Sequence, residues 1–184
     1  MYFPVSLKVG GERCLVVGGG AVALRKARML VRAGARLTVV SPSLRAGFRL
    51  LRADLRRRPF RRGDVAGHVL VVASTDAPEV NRAVFDACRR RGIPVNVVDV
   101  PELCSFIVPS VARRGPVTVA VSTGGLSPSL AKALRERLEE VLPATLGALA
   151  RRLGGERRRL LREVPPSAGR TRRLKALVRK ADLR

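Results

Sequence analysis

Four residues carry the most readable chemistry in this sequence. Gly18, Gly20 and Ala23 follow the apolar run Leu15-Val16-Val17 and fit G-x-G-x-x-G/A. In that spacing the first glycine allows a sharp turn. The second lets the backbone approach a pyrophosphate, and the small third residue lets helix and strand pack closely. A helix starting there would aim unpaired N–H groups and a partial positive charge at phosphates. The fourth residue, Asp99, follows the apolar run Val95 to Val98. An acid at a strand's carboxyl end lies beside the crevice where open α/β sheets bind ligands. Desolvation there would favour a proton-accepting role. The plainer alternatives are a glycine turn without nucleotide and a loop carboxylate paired with an arginine.

These residues need a scaffold, and the flanking pattern supplies one. Arg13 to Val17 reads as a buried strand. Ala23, Ala27 and Leu30 recur at helical spacing, Gly34 stops the helix, and Arg36 to Val40 reads as a second strand. Phe3 to Lys8 reads as an extended segment that could open the sheet as a hairpin. The second strand ends at Ser41-Pro42-Ser43. An NAD-binding unit usually carries a ribose-binding acid here, whereas this chain has Ser41 and no acid until Asp54. Arg45 could face a 2′-phosphate, so local chemistry leans towards NADP.

The stretch from Phe48 to Gly67 is basic and broken by Pro59, Gly63 and Gly67. It reads as a helix followed by an edge strand near Phe60, with Arg56-Arg57-Arg58 as a solvated face. His68 to Ala73 reads as a strand, with His68 structural at its start and Thr75 and Asp76 as cofactor-contact candidates at its end. Asp76 could instead cap the next helix beside Pro78. Val80, Ala83, Val84, Ala87 and Cys88 mark one face of that helix. Val117 to Val121 reads as a further strand. Ser127 suits an N-cap and Pro128 the first helical position. Leu130, Leu134, Leu138 and Val141 or Leu142 stripe the helix that follows. Beyond Pro143, Leu146 to Leu161 reads as a basic helix divided at Gly154-Gly155. Pro165-Pro166 makes a hinge, and Thr171 to Leu183 reads as a last amphipathic helix.

Composition sets the outer limits. The chain has 184 residues, 46% apolar but only 3% aromatic, so its core must be built from Leu, Val and Ala. No apolar run would span a bilayer and no signal-peptide pattern opens the chain, so the cytoplasm and no membrane partner are expected. Cys14, Cys88 and Cys104 form no ligand cluster, and no metal site is expected. The formal charge of +23 attracts polyanions. Of 37 cationic residues five are lysine, and few aromatics lie near the arginines. Nucleic acid is therefore expected only as a non-specific partner.

Several stretches coincide in order and spacing with one family. Val17 to Ala23 followed by Arg25-Lys26-Ala27, then Ala73-Ser74-Thr75-Asp76 with Asn81, then Asn96 to Pro101, Ser105 to Ser110 and Val119 to Pro128 together resemble precorrin-2 dehydrogenases, the N-terminal module of siroheme synthase. The resemblance covers most of residues 2–145. It implies a Rossmann-type doubly wound parallel sheet (1–112), a small α+β dimerisation segment (113–145) and a C-terminal helical region (146–184).

The resemblance also implies a homodimer that oxidises precorrin-2 to sirohydrochlorin with NAD, which overrides the local lean to NADP. Some relatives also insert Fe2+. Asp99 matches the family's key aspartate and would accept the proton released with hydride transfer. Ala21, Val22, Pro42 and Ser43, with Gly18, Gly20, Ser41 and Thr75, would line the NAD site. Ser105, Ser122, Thr123 and Gly124 would face the substrate, whose eight carboxylates give the cationic surface a purpose. A separate uroporphyrinogen methyltransferase would supply that substrate. The rival readings are another NAD(P)-dependent oxidoreductase on this scaffold and a non-catalytic NAD-sensing regulator that binds nucleic acid.

Overall fold

In the computed structural model, which describes residues 2–179, the chain divides into two compact units, Met1–Val108 and Pro109–Arg184. The division falls before the expected boundary at 112, because Ser110 to Arg114 is a strand paired with the segment that follows it.

The first unit is a five-stranded parallel sheet in the order β3-β2-β1-β4-β5. β1 (Arg13–Val17) leads into α1 (Ala21–Arg32), then β2 (Arg36–Val40), β3 (Ala53–Arg56), β4 (Leu70–Ala73), α2 (Pro78–Arg89) and β5 (Val95–Val97). β1, β2 and β4 are almost wholly buried runs, as strands covered on both faces must be. One face packs Cys14, Val16, Leu37, Val39 and Phe48 against Ala23 and Ala27 of α1. The other packs Leu15, Val17 and Val71 against Val84 and Ala87 of α2. The order reverses between β1 and β4, and such a switch point opens a crevice at the carboxyl ends of the strands.

Three expectations need correcting here. Phe3 to Lys8 does not join the sheet. β1 lies between β2 and β4, so both of its edges are taken, and Phe3 stays 86% exposed. The edge strand is Ala53–Arg56 rather than a segment near Phe60. Ala53 and Leu55 alternate inward with Asp54 and Arg56 outward, whereas Pro59 has no N–H to give a ladder. Ahead of it stands only a single 3-10 turn, Ala46–Leu50. Nor are Arg56 to Arg58 simply solvated. Arg58 grips the buried Asp64 with both guanidinium nitrogens, at 2.8 and 2.5 Å, and Arg56 pairs with Asp54 at 2.8 Å.

The second unit opens with the hairpin β6 (Ser110–Arg114) and β7 (Val117–Val121), turned at Gly115-Pro116. α3 (Pro128–Val141) begins as expected: Ser127 accepts from the Leu130 N–H, and Pro128 takes the first position. Its end is held by Arg114, which donates to the carbonyls of Glu139 and Leu142. α4 (Leu146–Glu163) runs unbroken through Gly154-Gly155, where a division was expected. Both glycines keep ordinary backbone angles, and strong helix formers surround them. α5 (Ala168–Arg179) starts earlier than Thr171. The last residues of the helix expected to reach Leu183 lie outside the described residues. No helix among those described is long and apolar enough to cross a membrane.

Candidate functional site

Parallel register brings the strand ends of the first unit to one edge. Val17 pairs with Val40 on one side and with Ala73 on the other, and Ala73 pairs with Val97. The residues just beyond them, Gly18, Ser41, Ser74-Thr75 and Val98-Asp99, therefore share the sheet's carboxyl edge.

The glycine turn is tightly determined. A Cβ on Gly18 would stand 2.1 Å from the Ser74 carbonyl oxygen, and the residue has φ of 126°. A Cβ on Gly19 would stand 1.7 Å from the Ser43 carbonyl oxygen. Gly19 was not singled out in the sequence, because its constraint comes from Ser43 and Ser41, which are distant along the chain. Gly20 differs, since a Cβ there would meet nothing within 4 Å. It is the N-cap of α1, no side chain caps that end, and the first turn carries no acid. The leading amides of α1 thus face open space with their donors free, next to Ala21 and Val22. This is the cradle a pyrophosphate requires. The free donors and the empty volume over Gly20 fit a dinucleotide.

Ser41 is buried against Gly19, while Pro42 and Ser43 are exposed beyond β2. Thr75 sits beside Gly18, and its hydroxyl is shared with Asn81 Oδ1 at 2.9 Å and the Ala77 carbonyl at 3.1 Å. Asn81, buried on α2, also donates to the Thr75 carbonyl. The N-cap of α2 is Ala77, so Asp76 does not cap the helix and stays exposed.

Asp99 stands exposed on a turn after β5 in which the Val100 N–H donates to the Val97 carbonyl at 3.3 Å. It is the only described non-glycine residue with positive φ, at 61°. That is the third position of a turn that ordinarily takes glycine or asparagine. Holding an aspartate there costs roughly 1 kcal/mol, and strain of this kind clusters at functional sites.

Lys26, half-buried on α1, falls within electrostatic reach of Asp99 and Cys104. Burial, and then the neighbouring Arg25, hold its ammonium below the ordinary lysine range, while Asp99 and Cys104 pull it back. The sequence did carry a signal for Lys26: it is one of five lysines in a chain that otherwise uses arginine. Cys104 is held by Asn96 Nδ2 and by the Val97 and Val100 carbonyls, and burial raises its thiol pKa. Ser105 has a structural task, since its hydroxyl accepts from the Val95 N–H at 2.8 Å and closes the outer edge of β5.

Ser122, Thr123 and Gly124 belong to the second unit, in the turn between β7 and α3. The Thr123 hydroxyl accepts from the Ser127 N–H and donates to its carbonyl, both at 3.0 Å. Ser122 Oγ accepts from the Gly124 N–H, and Gly124 has φ of 66°. His68 lies at the opposite end of β4, buried as expected, with neither ring nitrogen partnered by a described residue.

Comparison with known proteins agrees with this geometry. A family model described as "Putative NAD(P)-binding" matches residues 5–110, and one described as "Sirohaem biosynthesis protein central" matches 114–140. A siroheme synthase of Thioalkalivibrio sulfidiphilus is 49% identical over 168 residues, 89% of this chain and 34% of the relative. One of Nitrosomonas eutropha is 51% identical over 154 residues, 81% of this chain and 32% of the relative. This chain therefore spans about a third of the length of those curated relatives. Among solved structures, SirC, a precorrin-2 dehydrogenase, aligns with a TM-score of 0.76 at 26% identity, over 98% of this chain and 90% of that one. The chain belongs to the family whose model is described as "Putative NAD(P)-binding", and it carries beyond it a segment that matches the sirohaem biosynthesis central model.

Proposed function

We propose that this chain oxidises precorrin-2 to sirohydrochlorin with NAD, in the cytoplasm and as a homodimer. The observation that carries the reading is the strained Asp99 carboxylate on the same sheet edge as the free amides of α1. When bound, NAD supplies the hydride acceptor. The chain's own part is to hold the pyrophosphate at Gly18, Gly20, Ala21 and Val22 and the ribose near Ser41 to Ser43. Asp99 accepts the proton that the macrocycle loses, so the balance is one hydride to the nicotinamide and one proton to the carboxylate. Lys26 offers a positive charge within electrostatic reach of that carboxylate. In the second-unit turn of Ser122, Thr123 and Gly124 the Ser122 hydroxyl keeps a proton to donate to a substrate carboxylate, while Thr123 and Gly124 hold the turn.

The homodimer is supported by α3. Leu130, Leu134 and Val141 are 52, 41 and 72% exposed, and Ala131 is the helix's one buried residue. Although α3 and α4 both pack on the hairpin, Ala112 and Ala131 are the only buried hydrophobic residues described in this unit, too small a core to stand alone, and a second copy would cover that stripe. The octa-acid substrate has to come from a methyltransferase. Insertion of Fe2+ would use the same carboxylate, now accepting pyrrole N–H protons.

The test is anaerobic: precorrin-2 and NAD are mixed with the protein and NADH absorbance is followed, with Fe2+ added afterwards. Wild type should produce NADH. Asp99→Asn keeps a residue that tolerates left-handed backbone, so it should bind NAD normally and lose turnover by about 100-fold or more. Unchanged turnover would remove Asp99 from the chemistry. NADH formed only with some other substrate would favour a different oxidoreductase.

A further inference from the structure

At the other end of the sheet two adjacent strands begin on arginine, and a third arginine directly precedes the next strand. Arg13 and Arg36 are direct register partners across β1 and β2. Leu37 pairs with Ala53, so Arg52 continues the row at the entrance to β3. Neighbouring strands lie about 4.8 Å apart, which sets the three positions side by side. The adjoining Cys14, Leu37 and Ala53 pack into the core on the α1 face, so alternation sends all three arginines to the opposite face. On that face α2 packs against β4 and β5, and the β2–β3 connection sends Phe48 into the other side. At this end of the sheet a groove of about 740 Å³ is lined by Arg13, Arg36, Arg52, Asp54 and Arg56 together with Val31, Gly34 and Ala35.

Like charges abreast across strands repel. Arg13, Arg36 and Arg52 have no acidic partner within ion-pair distance among the described residues: Asp54 and Asp64 pair with Arg56 and Arg58, and Glu12, beside Arg13, meets Arg36 only through its backbone carbonyl. His68 feels the same field, since burial and then the charge of Arg13 push its imidazole pKa down. The groove contains no aromatic side chain, which argues against single-stranded nucleic acid.

We propose that this groove binds a compact oligoanion, a small molecule bearing two or more adjacent phosphate or carboxylate groups, at a site separate from the dinucleotide edge. Each planar guanidinium can take an oxyanion in bidentate fashion, and the inter-strand spacing lets neighbouring anionic groups meet different arginines. Binding also relieves the repulsion along the row. Asp54 stays paired with Arg56 through Nε at 2.8 Å and marks the polar limit of the site. The proposal does not depend on the reaction assigned above.

The test is calorimetric titration of the full chain with inorganic tripolyphosphate and, separately, with benzenehexacarboxylate, at constant ionic strength. Arg36→Gln/Arg52→Gln should weaken the tighter probe about tenfold. A charge-matched control in the second unit, Arg157→Gln/Arg172→Gln, should change it less than about twofold. Tighter tripolyphosphate points to a phosphorylated ligand, and tighter hexacarboxylate to a polycarboxylate. Both variants should bind NAD as wild type does, which checks folding. His68 is the chain's single histidine, and in wild type its ring resonances should move on titration. Equal losses in the two variants would reduce the effect to net charge and overturn the proposal. Binding that leaves the His68 resonances unmoved would overturn it as well.

Discussion

The two units of this chain treat their apolar residues differently. Of the buried hydrophobic residues, all but Ala112 and Ala131 lie in the first unit. There the parallel sheet is covered on both faces, and Leu15, Val16, Val17, Val39 and Val71 are essentially inaccessible. In the second unit the apolar stripe of α3 faces outwards, as does Leu126 before it, which is 92% exposed. A parallel sheet can close its own core, because its crossover helices return to it. The hairpin with α3 and α4 against it encloses little apolar surface, Ala112 and Ala131 being its buried hydrophobic residues among those described. The first unit therefore has a core of its own, and on the homodimer proposed above the second would gain stability from its partner.

The largest expected effect separates two neighbouring glycines in the first unit. Gly19→Ala forces a Cβ against the Ser43 carbonyl and should destabilise by roughly 3 kcal/mol or more, read as a fall in Tm. Gly20→Ala points into open space and should cost no more than about 1 kcal/mol while weakening NAD binding, read by titration. Equal Tm losses would show that the cradle over Gly20 is filled by protein.

In the second unit, Leu130→Asp/Leu134→Asp should halve the mass measured by sedimentation and leave NAD binding intact. A wild-type mass in the variant would mean that α3 is not the joining surface. Unfolding of the first unit in the same variant would erase the distinction between a self-supporting half and a borrowing one.

Two smaller effects sharpen the account of the first unit. Asp64→Ala removes the bidentate partner of Arg58 and the acceptor of the Arg61 N–H. It should cost about 2 kcal/mol in denaturant unfolding. Hydrogen bonding from Arg58 lowers the Asp64 pKa, so this contribution is present at neutral pH and is lost as pH falls through the lowered value.

His68 gives the smallest effect. Its folded pKa lies below the ordinary value of 6.5, chiefly through burial. The unfolded chain therefore takes up the proton first. Stability should be full above that value and decline as pH falls from it towards the folded pKa. His68→Leu should flatten that part of the profile, and an unchanged slope would assign it to another group.

Legibility followed the range of the forces involved. The strands at 13–17, 36–40 and 117–121 were readable because alternation and buried runs are local patterns. The Ser127-Pro128 start of α3 was readable for the same reason, since a cap acts within one turn. The edge strand was misplaced because an outer strand has one neighbour and a weak pattern, and only pairing with β2 selects Ala53–Arg56. The N-terminal segment looked like a strand, and it is excluded by the positions of β2 and β4, which no residue near Phe3 could reveal.

The sequence by itself determined that a glycine turn would join a buried strand to a helix, and that an acid would follow a later strand. Those are consequences of residue type and short spacing. Tertiary structure alone decided that the Ser43 carbonyl would press on Gly19 and that Lys26 would stand near Asp99. It also decided that Arg13, Arg36 and Arg52 would line up abreast. Each of those joins residues far apart in the chain, and their distance is fixed by the register of a parallel sheet rather than by any local preference.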